Sequence, residues 1–102
     1  MWVFLNDRFV PEQDAKISVF DHGFLYGDGV YETIRSYGNR IFMRDHHLSR
    51  LQRSADAIGL TVPIPLNEWP RLLHEAMDRN QLGDNQTDAY LRITVSRGAG
   101  EI

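Results

Sequence analysis

Apolar residues along this chain recur with two different periods, and the switches between them divide it into elements. Trp2-Val3-Phe4-Leu5 and Arg8-Phe9-Val10 are short apolar runs around the polar pair Asn6-Asp7, the pattern of a β-hairpin whose turn lacks the preferred glycine. Pro11 to Ala15 is a polar connector, and Ile17 to Phe20 is a further short extended or loop segment. Between Asp21 and Gly29, three glycines (Gly23, Gly27 and Gly29) accompany Phe24, Leu25 and Tyr26. That mixture predicts an ordered loop, with a backbone free to turn and side chains that favour burial. From Val30 to Tyr37 the period is two, with Val30, Glu32 and Ile34 on one face of a strand and Tyr31, Thr33 and Arg35 on the other. Gly38-Asn39 separates this strand from Arg40-Ile41-Phe42-Met43, read as the return strand of a second hairpin.

The period then becomes helical. Between Arg44 and Ile58, residues Leu48, Leu51, Ala55 and Ile58 form one stripe, and Gly59 supplies the stop. A second helix has Asn67 as its N-cap and Pro70 in its first turn. Its apolar positions are Trp69, Leu72, Leu73, Ala76 and Met77, and it ends between Asn80 and Gly83. The polar run Gly83 to Asp88 reads as a loop. Ala89 to Arg97 alternates again, with Leu91, Ile93 and Val95 inward and Tyr90, Arg92, Thr94 and Ser96 outward. Early hairpins, two helices and a closing strand predict an α+β domain: a mainly antiparallel sheet with two helices packed on one side. The last residues, Arg97-Gly98-Ala99-Gly100-Glu101-Ile102, open a loop and stop inside it, so the chain reads as truncated.

Composition narrows the function classes. At 102 residues the chain holds one domain with a modest core. Fourteen acids against eleven bases give a net charge of −3, which offers no positive excess to neutralise a nucleic-acid backbone. The absence of cysteine excludes disulfides, Cys-ligated zinc, iron–sulfur clusters and a thiol nucleophile. No apolar run approaches the ~18 residues of a membrane span, and no charged-then-apolar leader is present, so a cytoplasmic chain is expected. Of the eleven bases only Lys16 is a lysine, leaving a single candidate for any chemistry that needs an amine nucleophile.

Spacing alone leaves several sites open. On the first helix His47 and Arg50 flank one edge of the apolar stripe; Arg50 is either an anion reader at a cleft or a solvated helix residue. Tyr90 and Arg92 share a strand face and suit a carboxylate, or form a cross-strand surface pair. Tyr31 and Arg35 share a face of the earlier strand, with sheet packing as the alternative. Gly27-Asp28-Gly29 leads into a strand and lacks a Gly-Lys-Ser/Thr ending, so it is not a phosphate loop. His46 and His47 are adjacent on a helix and no HExxH occurs, so a metal site is not expected. No GxSxG of a serine hydrolase is present either.

One run is specific. Val19-Phe20-Asp21-His22-Gly23-Phe24-Leu25-Tyr26-Gly27-Asp28-Gly29-Val30-Tyr31-Glu32-Thr33-Ile34-Arg35 closely resembles the N-terminal signature of the class IV (fold-type IV) pyridoxal-phosphate aminotransferases. That group holds branched-chain aminotransferases, D-amino-acid aminotransferases and aminodeoxychorismate lyases. Further segments agree in order and spacing: the first hairpin with Asn6, the helix His47-Leu48-Ser49-Arg50-Leu51 with Ser54-Ala55 and Ile58-Gly59-Leu60, and the strand Tyr90-Leu91-Arg92 running into Val95-Ser96-Arg97-Gly98. The resemblance covers essentially the whole chain.

The resemblance implies that Arg50, in the HxxRL helix, grips the phosphate of pyridoxal 5'-phosphate. It also implies that Tyr31 lines the substrate pocket with a contribution from Tyr26, and that Tyr90 and Arg92 help receive the substrate carboxylate. It implies a homodimer acting on small-molecule amino acid and 2-oxo acid substrates, with no nucleic acid or membrane partner. The Schiff-base lysine of the family lies in a second domain, beyond Ile102, and Lys16 does not match its position. Residues 1–102 are therefore expected to be the N-terminal domain, inactive by itself. The full-length activity expected is transamination of branched-chain amino acids with 2-oxoglutarate, favoured by the Tyr-Leu-Arg strand running into the SRGAG loop. The alternatives are a D-amino-acid aminotransferase or aminodeoxychorismate lyase of the same family, or a non-catalytic stand-alone binding or assembly domain. An enzyme built on Lys16 would require a desolvated amine, which its polar surroundings oppose.

Overall fold

The first hairpin closes on an asparagine. In the computed structural model, which describes residues 1–84 and 87–100, β1 (Trp2–Leu5) pairs antiparallel with β2 (Arg8–Pro11), and Leu5 stands opposite Arg8. Asn6 takes φ +63°, a left-handed conformation that its short polar side chain tolerates better than most. This is how the turn forms without glycine.

The segment expected to be a loop after Asp21 instead contains α1 (His22–Tyr26). Asp21 caps it, its Oδ1 accepting the Phe24 N–H at 3.1 Å, and Gly27 ends it at φ +67°. Start and stop signals this close together leave barely one turn between them, too short for a helical period to show. Asp21 also accepts from the Ser96 hydroxyl at 2.8 Å. That bond holds the carboxyl below its ordinary pKa and fastens α1 to the last strand.

β3 (Gly29–Tyr37), β4 (Arg40–Ile41) and β5 (Ala89–Ser96) form an antiparallel sheet in the order β4-β3-β5. β4 is shorter than its sequence suggests. Phe42 still donates to the Arg35 carbonyl at 2.8 Å, but Met43 turns to φ +51° and the chain enters α2 (Arg44–Ala57). The expected stripe of α2 holds through Leu48, Leu51 and Ala55, which are buried, but not Ile58, which is 42% exposed. The helix ends one residue earlier, and Gly59 (φ +64°) reverses the chain so that the Leu60 N–H reaches the Ala55 carbonyl at 2.8 Å. Leu60 enters the core in place of Ile58.

α3 (Trp69–Arg79) follows a single 3-10 turn, Leu66–Glu68. Asn67 lies inside that turn and is not the helix cap expected of it, because the tighter turn moves the start of the helix to Trp69. Pro70 does occupy the first turn, where its missing N–H costs nothing. Of the polar run from Gly83 to Asp88, residues 85 and 86 lie outside the described residues, as do 101 and 102.

The fold is the expected α+β arrangement, with its strands in two antiparallel sheets rather than one. Ile34, Leu91, Ile93 and Val95 cover one face of β3 and β5, and they pack with Leu48, Leu51 and Ala55 of α2 and Leu72, Leu73 and Met77 of α3. Both helices therefore lie on the same side and leave the other sheet face open. The first hairpin joins through Asn80, whose Oδ1 accepts the Trp2 N–H at 2.7 Å and whose Nδ2 donates to the Trp2 carbonyl at 3.0 Å.

Arg97 ties the ends of three elements. Its Nε donates to Asp28 Oδ2 at 2.7 Å, in the turn before β3, and its Nη2 donates to the Ile58 carbonyl at 2.8 Å, at the end of α2. The guanidinium keeps the Asp28 carboxyl below its usual pKa and places a cation against the negative end of α2.

Candidate functional site

Period two puts Tyr31, Thr33 and Arg35 of β3, and Tyr90, Arg92 and Thr94 of β5, on the sheet face turned away from the helices. The ladder register then decides which of them meet. Arg35 stands opposite Tyr90 and Thr33 opposite Arg92, so Arg92 lies diagonal to Tyr31, within reach of a long side chain. Its Cζ sits 4.2 Å from the centre of the Tyr31 ring, and its Nε donates to Thr94 Oγ1 at 3.3 Å. Among the described residues Arg92 has no carboxylate partner. Tyr31 and Tyr90 are 60% and 71% exposed, so the face is open to a ligand.

The other cation of this face is already engaged. Arg35 Nη1 donates to Tyr90 Oη at 2.7 Å, its Nη2 is 3.9 Å from Asp88 Oδ2, and its Cζ lies over both the Tyr90 and Tyr37 rings. Because Arg35 fills an acceptor position of the Tyr90 oxygen, the phenolic proton remains for donation. The face thus presents a stacked guanidinium and a phenol donor side by side, groups suited to a carboxylate.

Arg50 lies on the opposite side of β3. Its Nε and Nη2 donate to the two oxygens of Glu32, both at 2.8 Å, and His47 Nδ1 approaches Glu32 Oε1 at 2.7 Å. Glu32 projects into the core side of the strand and is 5% exposed. The Arg50 guanidinium, aided by His47, outweighs the cost of burial and lowers the Glu32 pKa to about 2. In return the carboxylate raises the Arg50 pKa.

Tyr31, Tyr90 and Arg92 are therefore brought together on one face, whereas Arg50 and Tyr31 occupy the two sides of a single strand. Tyr26, at the exposed end of α1, stacks edge-on against His22 with ring centres 5.5 Å apart. Among the described residues, no hydrogen bond or ring contact joins it to either group. Lys16 is exposed on the segment after β2, its N–H donating to the Asp14 carbonyl at 3.0 Å. Glu32 is the site residue that sequence reasoning passed over. Its one signal was a carboxylate between Val30 and Ile34 on the apolar face of a strand.

The family described as Amino-transferase class IV matches residues 29–102. This chain belongs to the class IV aminotransferases. A relative named "Putative branched-chain-amino-acid aminotransferase", from Methanocaldococcus jannaschii, is 44% identical over 102 residues, covering 100% of this chain and 34% of its own length. A D-alanine aminotransferase of Staphylococcus epidermidis is 38% identical, covering 95% of this chain and 33% of itself; aminodeoxychorismate lyase of Bacillus subtilis also matches, at 34% identity over 97% of this chain and 33% of itself. Among solved structures, the branched-chain aminotransferase from the thermophilic archaeon Thermoproteus uzoniensis, crystallised with norvaline, superposes with a TM-score of 0.83. Its identity is 36%, over 94% of this chain and 33% of that one. This class IV aminotransferase chain thus spans about a third of the length of the relatives it matches. Among its described residues, no helix is long and apolar enough to cross a membrane.

Proposed function

We propose that the chain is the N-terminal domain of a pyridoxal-phosphate-dependent aminotransferase. Acting full-length and as a homodimer, that enzyme moves amino groups between branched-chain amino acids and 2-oxoglutarate. The observation that carries this reading is the open sheet face, where Arg92 rests on Tyr31, beside Tyr90, and among the described residues meets no carboxylate. An amino acid and its 2-oxo acid share the α-carboxylate. A guanidinium and a phenol that hold that group fix the orientation of Cα through both halves of the reaction.

The cofactor fits the residues on the α2 side. Arg50 has five N–H groups, of which two go to Glu32. Its side chain is 50% exposed, leaving the remaining N–H edge for a phosphate. Bound there, pyridoxal phosphate supplies an electron sink for the Cα–H bond that is broken. The amine that holds it covalently and moves the proton belongs, in this reading, to a second domain after Ile102; exposed Lys16 is the only lysine before that point.

The first test is an absorbance spectrum with pyridoxal phosphate, before and after borohydride, on residues 1–102 and on the full-length protein. A reducible adduct in the full-length protein alone is expected; an adduct on Lys16 would overturn the assignment. The second test is turnover of L-leucine, D-alanine and aminodeoxychorismate by the full-length enzyme. L-Leucine is expected to be preferred, and Arg92→Leu to raise its KM and that of 2-oxoglutarate about tenfold or more. Preference for D-alanine or for the lyase reaction would keep the family and remove the branched-chain assignment.

A further inference from the structure

Glu32 is an ionised carboxylate on the inward side of β3, beneath α2. An apolar residue between Val30 and Ile34 would suit that face at least as well for stability. The Glu32 contacts are nevertheless specific. Among the described residues, its two oxygens meet only Arg50 and His47, one turn apart on α2, at 2.7 and 2.8 Å.

We propose that Glu32 is a positioning residue for the cofactor phosphate, holding Arg50 from within the core so that its outer edge is fixed toward the anion. The proposal rests on the pyridoxal-phosphate reading above. The geometry argues it directly. Contact through Nε and Nη2 engages one edge of the planar guanidinium and stops rotation of the fork. The Arg50 side chain as a whole is half exposed, and among the described residues its Nη1 makes no hydrogen bond while Nε and Nη2 are held by Glu32, so a phosphate meets donors whose orientation is already set. His47 adds a second donor to the same carboxylate oxygen and keeps the carboxylate from swinging away. Because Arg50 holds the Glu32 carboxyl ionised down to about pH 2, the grip keeps one charge state through the neutral range.

The experiment compares binding of pyridoxal 5'-phosphate and of pyridoxal, which lacks the phosphate, to the full-length protein by equilibrium dialysis. The variants are Glu32→Gln, Glu32→Asp, Arg50→Ala and the double variant Glu32→Gln with Arg50→Ala. Glu32→Gln is expected to weaken the phosphorylated cofactor about tenfold, to leave pyridoxal nearly unchanged, and to add nothing once Arg50 is alanine. Should Glu32→Gln fail to fold, Glu32→Asp keeps the charge but shortens the reach, and the same selective loss is expected. Equal loss of both ligands, unchanged affinity, or effects that add to those of Arg50→Ala would overturn the proposal, since a merely structural carboxylate does not distinguish a phosphate. A wild-type protein that binds neither ligand would instead overturn the functional reading itself.

Discussion

Replacing Glu32 with glutamine should cost stability in a manner that acid erases. On folding, the carboxyl pKa falls from its ordinary 4.5 to about 2, chiefly through the hydrogen bonds from Arg50. Each such tenfold change in proton affinity is worth about 1.4 kcal/mol, so the linkage amounts to about 3 kcal/mol. Arg50 is half exposed and water screens the pair, which brings the expected destabilisation of Glu32→Gln at pH 7 to about 2 kcal/mol. Because the folded value lies below the unfolded one, this contribution is full above about pH 4.5 and is lost as the pH falls through about 2. The gap between wild type and variant should therefore shrink to about 1 kcal/mol by pH 3. Urea unfolding of both chains at pH 7, 5 and 3, followed by far-UV circular dichroism, measures the gap directly. Asp21 and Asp28 also have lowered pKa values, but they are common to both proteins and cancel. A gap that stays constant from pH 7 to pH 3 would refute the reasoning and assign the loss to packing of the amide rather than to the carboxylate charge.

Two further outcomes concern the scaffold. Ile34 is fully buried at the centre of β3, and Ile34→Ala should destabilise the chain by about 3 kcal/mol, against about 1 kcal/mol for Ile34→Val, in the same unfolding assay. Gly29→Ala would place a Cβ 2.7 Å from the Val95 carbonyl oxygen and 3.1 Å from Ser96 Cα. Both are backbone atoms that cannot swing aside, so a loss of about 1–3 kcal/mol is expected, with faster amide exchange at the β3–β5 end as the second readout.

Long periodic elements were legible because their signal is carried by many residues at once. The alternation through Val30, Glu32 and Ile34 and through Leu91, Ile93 and Val95 assigned the buried and open faces, and Leu72, Leu73 and Met77 did so for α3. The first hairpin was legible too, from its two apolar runs around Asn6-Asp7, but the short helical elements were not. Five residues from His22 to Tyr26 hold little more than one turn, and the glycines around them suggest a loop as readily as a capped helix. Asn67 has the chemistry of a cap, yet Leu66–Glu68 winds too tightly for it to act as one.

The sequence by itself determined the α+β class, the inward and outward faces, and the residue types from which the candidate site is drawn, because periodicity and turn chemistry are local properties. Only the tertiary structure decided which of those residues meet. The ladder between β3 and β5 joins segments more than fifty positions apart, and a shift of one residue in register would reverse every side chain. That register lays Arg92 over Tyr31 and Arg35 against Tyr90. The packing of α2 on the other side of β3 turns Glu32 from an apparent flaw in an apolar face into the partner of Arg50. A charge buried in a strand is stable only where a counter-ion reaches it, and that meeting is set by how the helix docks, which no local pattern encodes.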